Sequence, residues 1–503
     1  MQVNQSKFPA AGAWPAGDSA AADAAPAALA QDWRKWLILA VAVLLLSRLA
    51  LMLWAPLADT TEARYGELAR QTASNAYWLM PHMDAHTPFF AKPPLSNWTS
   101  AVSMRLLGVN EFAARLPSLL VSLPALWIAA CFAGALGVRA RWLVVPVLAS
   151  SPLFFISAGA VMTDAVQMTV VWAAQYMAWR AWHAGEGAES NNARRWRLGF
   201  WALVGLGALS KGLATWVLIM LPLAAYALLE RRPLQLARQL LDWRGMLLAA
   251  AIFLPWYVAA EYYYPGFINY FIVGEHFSRF LVPGWTGDRY GTAHRQPLGA
   301  IWLFWVGAML PWMHVFVGGL LAMRRRGPAS APAAAMPPLA RFLWCATLAP
   351  LLFFTFSRNI IWTYALTAVP PFAVLAAHWL ENSAPRTQRR TGLVLTAYAL
   401  LALAVSPFIV QQVSINSERA LVQAFEKAAP PGAQLQYLTR PAFSSAFYTR
   451  GTLRHEEGAA GLLPSPPGQA AYVVMANEDV RRLAIPVADI LYAGPKRSLV
   501  ELK

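Results

Sequence analysis

Apolar residues along this chain fall in long runs separated by short polar breaks. Eleven such runs read as membrane-crossing helices, over about 36–57, 118–137, 142–159, 165–182, 198–210, 213–229, 246–263, 298–322, 342–357, 362–380 and 391–411. A span needs roughly 20 apolar residues, and runs of that order recur through most of the length. Two features break the pattern. Residues 58–117 hold five Asp/Glu and five Lys/Arg interspersed with aromatics. From about Val413 onward, short alternating runs replace the long ones: Gln434–Leu438, Ala471–Met475, Ile490–Tyr492 and Leu499–Leu502, preceded by a helical stretch Glu418–Ala429. The pattern predicts an all-α polytopic membrane protein of about 11–13 transmembrane helices with a small C-terminal α/β domain. Its parts are a disordered tail (1–33), a transmembrane domain (34–411) and the α/β domain (412–503).

The polar stretch has structure of its own. Thr60 or Thr61 can cap a short helix running to about Ser74, with Glu62 and Glu67 early in it. Pro93 and Pro94 break the chain, and Leu95–Leu107 can form a second helix along the membrane surface. A polar segment of this length is too costly to leave in lipid, so it lies at an interface or in a cleft.

Charge then gives the chain a direction. Arg34 and Lys35 precede the first span. The other basic clusters are Arg139 and Arg141; Arg194, Arg195 and Arg197; Arg231, Arg232, Arg238 and Arg244; Arg324–Arg326; and Arg386, Arg389 and Arg390. On the eleven-span count every cluster falls on one side, the cytoplasmic one by the positive-inside rule. The N-terminus is therefore expected in the cytoplasm, with the 58–117 loop, the loop Tyr264–Pro297 and the C-terminal domain outside. A Pro/Ala segment ending at Pro338 reads as an inside linker.

Composition agrees with the pattern. The 503 residues are 58% hydrophobic and 13% charged, with 23 Trp, whereas a soluble domain carries about 25% charge. The net charge of +16 is accounted for by the loop clusters and needs no nucleic-acid partner. Cys131 and Cys345 fall inside spans and are expected as free buried thiols. The first span lacks a cleavage site and reads as uncleaved.

Ionisable groups at span boundaries are functional candidates by default. Asp59, Asp164 and Lys211 all fall on the outer side. Their arrangement suits transfer of a sugar from a lipid-linked phosphate. The leaving phosphate needs cations, for which Lys92, Lys211, Arg279 and Arg295 are available. The acceptor hydroxyl needs a carboxylate to take its proton, and Asp59 stands at the mouth of the first span. His82 and His86 lack the Glu of a zincin and have Pro81 and Pro88 beside them, so they make a poor metal pair. Two other classes compete: a lipid or glycan transporter or flippase, and a non-catalytic assembly subunit. No repeat in two matching halves supports the first.

At these residues the chain resembles the C-type membrane glycosyltransferases. The branch it looks most like is the aminoarabinose lipid A transferases, related to protein mannosyltransferases. The resemblance is carried by Asp59–Tyr65 with Glu67–Arg70, Trp78, Pro81, Phe89–Leu95 and Leu107–Pro117. Thr163-Asp164, Leu209–Gly212, Glu275–Phe280 and Tyr364 before Pro370 add to it. It implies a donor of undecaprenyl-phosphate type, a glycolipid, glycan or protein acceptor, and a periplasm-facing site in the bacterial inner membrane. Aminoarabinose transfer to lipid A is one option. It also implies a catalytic Asp59, with Glu62 sharing or taking the base role and Asp164 as a second acidic site. Lys92, Arg64, Lys211 and Arg279 are implied as donor-phosphate cations, and Tyr65, His276 and Tyr364 as donor-pocket residues. Two departures stand out. Thr60 and Thr61 separate Asp59 from Glu62, where those relatives have adjacent Asp and Glu. Ala91 replaces a Glu before Lys92, removing a metal-coordinating carboxylate, so no metal or other cofactor is expected.

Overall fold

The computed structural model describes residues 27–139, 141–183, 191–292, 294–325, 336–455 and 470–502. Most of the expected N-terminal tail, Arg326 and most of the Pro/Ala linker lie outside the described residues. By contacts the chain divides into two units. One comprises the residues up to Leu45, Val121–Ala158 and Asp164–Ala402. The other comprises Leu46–Leu120, Gly159–Thr163 and Leu403–Lys503. They are called here the membrane unit and the loop unit.

Helices dominate, as the hydrophobic runs require. Among the described residues six are long and apolar enough to cross a membrane: Trp33–Trp54, Glu111–Ala135, Trp243–Tyr263, Pro338–Thr355, Trp362–Glu381 and Pro385–Ile415. The helix Asp164–Trp182 falls outside that set because it carries Gln167, Thr169 and Gln175 in its interior. All three are buried and each makes a hydrogen bond: Gln167 donates to Thr215 Oγ1 at 3.4 Å, Thr169 to the Val121 carbonyl at 2.9 Å and Gln175 to the Leu218 carbonyl at 3.1 Å, while the Gln175 side-chain oxygen has no partner among the described residues. Hydrogen bonding lowers the cost that would bar these polar side chains from a membrane interior.

Three expected spans are interrupted. The 142–159 run splits into Val144–Ala149 and Pro152–Ser157 at Ser150-Ser151-Pro152. The 298–322 run splits into Ala300–Ala308 and Met313–Arg325 around Pro311. The 362–380 run opens with a 3₁₀ stretch, Trp362–Ala368, before the helix Val369–Glu381. Each break sits at a proline, which lacks the N–H that would continue the ladder. Hydropathy sums over a window and is blind to this. The loop Tyr264–Pro297 is also more ordered than expected. It contains a wide, π-type helix Asn269–Ser278 that continues into Arg279–Leu281.

The membrane-unit core is aromatic. Phe132 packs against Trp172, Tyr176, Trp179 and Phe342 with ring centroids 4.8–6.5 Å apart. Helices Asn191–Lys211 and Trp243–Tyr263 approach closely at Gly205, where a Cβ would stand 2.9 Å from the Ala249 carbonyl oxygen. Small residues permit such crossings in lipid. Cys131 and Cys345 are free, and both are partly rather than fully buried.

In the loop unit, α1 (Ala27–Trp54) ends before Pro56, and α2 (Thr61–Asn75) and α3 (Leu95–Leu107) follow. Thr60 is the N-cap of α2 but makes no side-chain capping bond. The next helix, α4 (Glu111–Ala135), carries Arg115. Among its described residues the C-terminal domain holds a five-stranded sheet: β1 (Leu435–Tyr437), β2 (Arg454–His455), β3 (Ala471–Ala476), β4 (Ile490–Ala493) and β5 (Arg497–Leu502), in the order β2-β1-β3-β5-β4. β1 pairs in parallel with β2 and β3, and β5 antiparallel with β3 and β4. The period-2 alternation in β3 puts Tyr472 and Val474 with Leu421 and Val422 of the helix Arg419–Ala428, and Val473 and Met475 on the other face with Val480 and Val500. Four strands were legible from that alternation. The two-residue β2 is too short to show one.

Candidate functional site

In the loop unit the carbonyls at the end of α1 and just beyond it lie within reach of a side-chain donor, and that of Leu51 also accepts from the Ala55 amide at 3.0 Å. Arg115 meets them: its Nη1 donates to the carbonyls of Leu51, Met52 and Ala55 at 3.3, 3.2 and 2.6 Å, and its Nη2 to Pro56 at 3.0 Å. The same guanidinium holds Glu62 in a bidentate pair, Nε to Oε1 at 2.9 Å and Nη2 to Oε2 at 2.8 Å. The Val161 amide adds a third donor at 3.2 Å. Burial pushes the Glu62 carboxyl up, but the charge and hydrogen bonds of Arg115 outweigh it and leave the group below the usual carboxylate range. Glu62 is thus tied to Arg115 and not to its helix neighbour Arg64. Arg64 stands over the rings of Tyr65 and Phe89, at 5.6 and 5.8 Å. Those rings meet edge to face at 6.0 Å.

Asp59 has a different environment. Its amide donates to the Asn416 carbonyl at 2.7 Å. Its Oδ1 accepts from the Ser444 amide at 3.1 Å, and its Oδ2 accepts from the Ser444 hydroxyl. Burial raises its pKa above the ordinary aspartate value, with the Ser444 bonds pulling the other way. Desolvation is the largest influence on this carboxyl, ahead of the positive end of α2 that follows it. Lys92 sits just before α3 with Nζ donating to the Ala91 carbonyl at 2.7 Å. His82 is used structurally, its Nδ1 2.8 Å from the Met80 carbonyl and its ring stacked on Tyr77 at 4.1 Å.

The membrane unit brings together most of its predicted residues. Asp164 begins one helix and Lys211 ends another, and Nζ meets Oδ1 at 2.7 Å with both side chains buried. An acid at a helix start and a base at a helix end each suit the local dipole. The helix stops at Lys211 because Gly212 has φ +64°. A Cβ there would also stand 2.7 Å from the Phe271 ring and 3.1 Å from His276 Cε1. His276 Nε2 lies 3.1 Å from the freed Lys211 carbonyl, and its Nδ1 lies 2.7 Å from the Phe271 carbonyl. The Lys211 ammonium stands over the Tyr364 ring at 5.6 Å. One turn beyond Glu275, Arg279 pairs with Glu275 at 3.0 Å and Asp288 at 3.2 Å. Burial would lower its pKa, but Glu275, Tyr364 and Asp288 reverse this and hold it above the ordinary value. Asn359 donates to the carbonyls of Arg279 and Val282, both at 2.6 Å, and the Arg295 backbone bridges to Asn359.

Asp164, Lys211, His276, Arg279 and Tyr364 therefore gather in the membrane unit, while Asp59, Glu62, Arg64, Tyr65 and Lys92 belong to the loop unit. Sequence reasoning missed Ser444, which carried no signal. It also missed the role of Arg115, which stood in the Leu107–Pro117 block without a stated partner. Among the described residues no three or more His, Cys, Asp or Glu side chains cluster as a metal site. With Ala91 before Lys92, these residues offer no set of ligands through which a metal step can be derived.

Comparison with known proteins bears on this arrangement. Residues 91–258 match the family of dolichyl-phosphate-mannose-protein mannosyltransferases. An undecaprenyl phosphate-alpha-4-amino-4-deoxy-L-arabinose arabinosyl transferase of Pseudomonas fluorescens is 29% identical over 369 residues, 70% of this chain and 58% of the relative. Its counterpart in Pseudomonas aeruginosa is 28% identical over 382 residues, 71% of this chain and 62% of the relative. The chain thus spans about three fifths of the length of these curated relatives. The crystal structure of ArnT from Cupriavidus metallidurans bound to undecaprenyl phosphate superposes with a TM-score of 0.73 at 21% identity. The match covers 93% of this chain and 98% of that one. The chain is a multi-pass membrane protein with the fold of ArnT, homologous in sequence to the aminoarabinosyl transferases and similar over residues 91–258 to the mannosyltransferase family.

Proposed function

We propose that this chain is an inner-membrane glycosyltransferase that moves a sugar from an undecaprenyl-phosphate-linked donor to an acceptor on the periplasmic side. The observation that carries the reading is the gathering of Lys211, Arg279, Asp164, His276 and Tyr364 in a chain with this fold. Buried cations oriented by carboxylates suit a leaving phosphate, because they stabilise charge without reorganising. Asp164 orients Lys211, and Glu275 and Asp288 orient Arg279. Lys92 and Arg64 are the loop cations of the same reading.

In the reaction the acceptor oxygen attacks the anomeric carbon and the bond from that carbon to the phosphate oxygen breaks. The electron pair leaves on the polyprenyl phosphate. The acceptor proton passes to Asp59, and a single displacement inverts the anomeric centre. Glu62, neutralised by Arg115, is the weaker candidate for base and serves to hold α2 and the end of α1 in place.

A narrower form of the reading is transfer of 4-amino-4-deoxy-L-arabinose to lipid A, supported by the names of the curated relatives. The mannosyltransferase match over residues 91–258 favours a protein acceptor instead. Mass spectrometry of glycolipids and glycoproteins from a deletion strain separates them. A glycolipid lacking one sugar supports the first, a glycoprotein lacking one supports the second, and no missing sugar overturns the proposal.

A further inference from the structure

The short helix Phe443–Tyr448 follows β1 in the C-terminal domain, yet its side chains close on the segment around Asp59. Tyr448 accepts a hydrogen bond from the Leu57 amide at 2.9 Å and donates to Glu111 at 3.0 Å. Arg70, held by Glu67 at 2.6 Å, donates to the Arg450 carbonyl at 3.0 Å. The ring of Phe447 is buried beside Gly66. Ser444 lies at the centre of this contact and is completely buried. Its amide and its hydroxyl take one oxygen each of the Asp59 carboxylate. The hydroxyl oxygen also accepts from the Glu418 amide at 3.0 Å, which fixes its rotamer so that the hydroxyl proton points at Asp59.

We propose that Ser444 is a positioning residue for the sugar transfer, orienting the Asp59 carboxylate, so that the C-terminal domain contributes part of the active site. The inference rests on the reading of Asp59 as the base. A hydrogen bond given to a carboxylate favours its charged form. Here it works against burial, which raises the Asp59 pKa, and against the charge of Glu418, which faces the same carboxylate. Glu418 is held in turn by Arg497 at 2.9 Å, by Tyr437 at 2.8 Å and by Ser445. Removing the Ser444 hydroxyl leaves Asp59 protonated up to a higher pH and held at Oδ1 alone, by the Ser444 amide, so that its Oδ2 loses its orienting donor.

The test uses membranes from the deletion strain expressing the full chain, with the donors of those membranes. The product is the glycosylated molecule that the deletion strain lacks. Ser444→Ala is expected to lower the rate about tenfold at neutral pH, the scale of one hydrogen bond to a charged group. The acidic limb of the pH–rate profile moves to higher pH, acceptor KM changes little, and Ser444→Thr restores both rate and profile. A structural role alone would lower the amount of folded protein without moving the limb. Ser444→Thr and Ser444→Val, matched in shape and differing in the hydroxyl, answer the same question if Ser444→Ala does not fold. Parental rate and pH profile in the Ala or Val variant, beside an inactive Asp59→Asn, overturn the Ser444 proposal and leave the base assignment standing. Normal turnover by Asp59→Asn, or no missing product, overturns both.

Discussion

In the membrane unit the carboxylate of Asp164 meets the ammonium of Lys211 at 2.7 Å, whereas in the loop unit that of Asp59 meets the hydroxyl and amide of Ser444. The first is a buried ion pair and the second a half-buried acid held by neutral donors. Glu62, paired with Arg115, is held below the usual carboxylate range, whereas desolvation raises Asp59 above it. Glu62 repeats the membrane-unit pattern inside the loop unit, since Arg115 grips it at 2.8 Å. Under the proposed reaction the difference divides the labour among these acids: Asp164 and Glu62 orient cations, and Asp59, held by neutral donors, takes the proton.

The comparison breaks first at Asp59. Asp59→Asn keeps the shape and removes proton acceptance, and is expected to cost roughly 10²–10⁴ in turnover with donor affinity little changed. Single-turnover rates with a separate donor-binding measurement check this. The stability of the same variant runs the other way. Asp59 has a raised folded pKa, so the folded state binds its proton more tightly than the unfolded chain does. The stability this contributes is present below the ordinary aspartate value and is lost as pH rises through the folded value. At neutral pH Asp59→Asn is expected to unfold no more readily than the parent. A variant both inactive and markedly less stable would remove the contrast.

Next is the buried pair. Lys211→Met strands the Asp164 carboxylate where both side chains are under 10% exposed, an arrangement that costs about 3–5 kcal/mol. Thermal unfolding in detergent should fall accordingly. The double variant Lys211→Met with Asp164→Asn should recover much of the loss, while transfer stays impaired because the proposed phosphate cation is gone. Full transfer by the double variant would show that the pair serves packing alone.

The smallest effect is expected at Glu62. Glu62→Gln leaves Arg115 its four carbonyl partners, so the cost is about 1–3 kcal/mol. Its pH dependence is opposite to that of Asp59. The folded pKa of Glu62 is lowered, so its contribution is present above the ordinary glutamate value and is lost as pH falls through the folded one. Acid unfolding of Glu62→Gln should therefore differ from the parent at neutral pH and converge with it in acid. If Glu62→Gln abolishes transfer while Asp59→Asn retains it, the division of labour is reversed.

Several features needed nothing beyond the chain itself. Apolar burial is additive along a segment, so hydropathy located the helices, and strand alternation located four strands of the C-terminal sheet. The break between the 198–210 and 213–229 runs marked a helix end close to Lys211, because a glycine with positive φ is a local requirement. The proline breaks in three spans were visible as residues, but their effect depends on whether neighbours satisfy the freed backbone groups, which is not local. The partners of the acids were decided by the tertiary structure alone. Lys211 lies 47 positions from Asp164, Arg115 lies 53 from Glu62, and Ser444 lies 385 from Asp59. No periodicity spans such separations. Whether a carboxylate is an ion-pair partner or a base depends on which donors surround it after burial, and folding alone determines those donors.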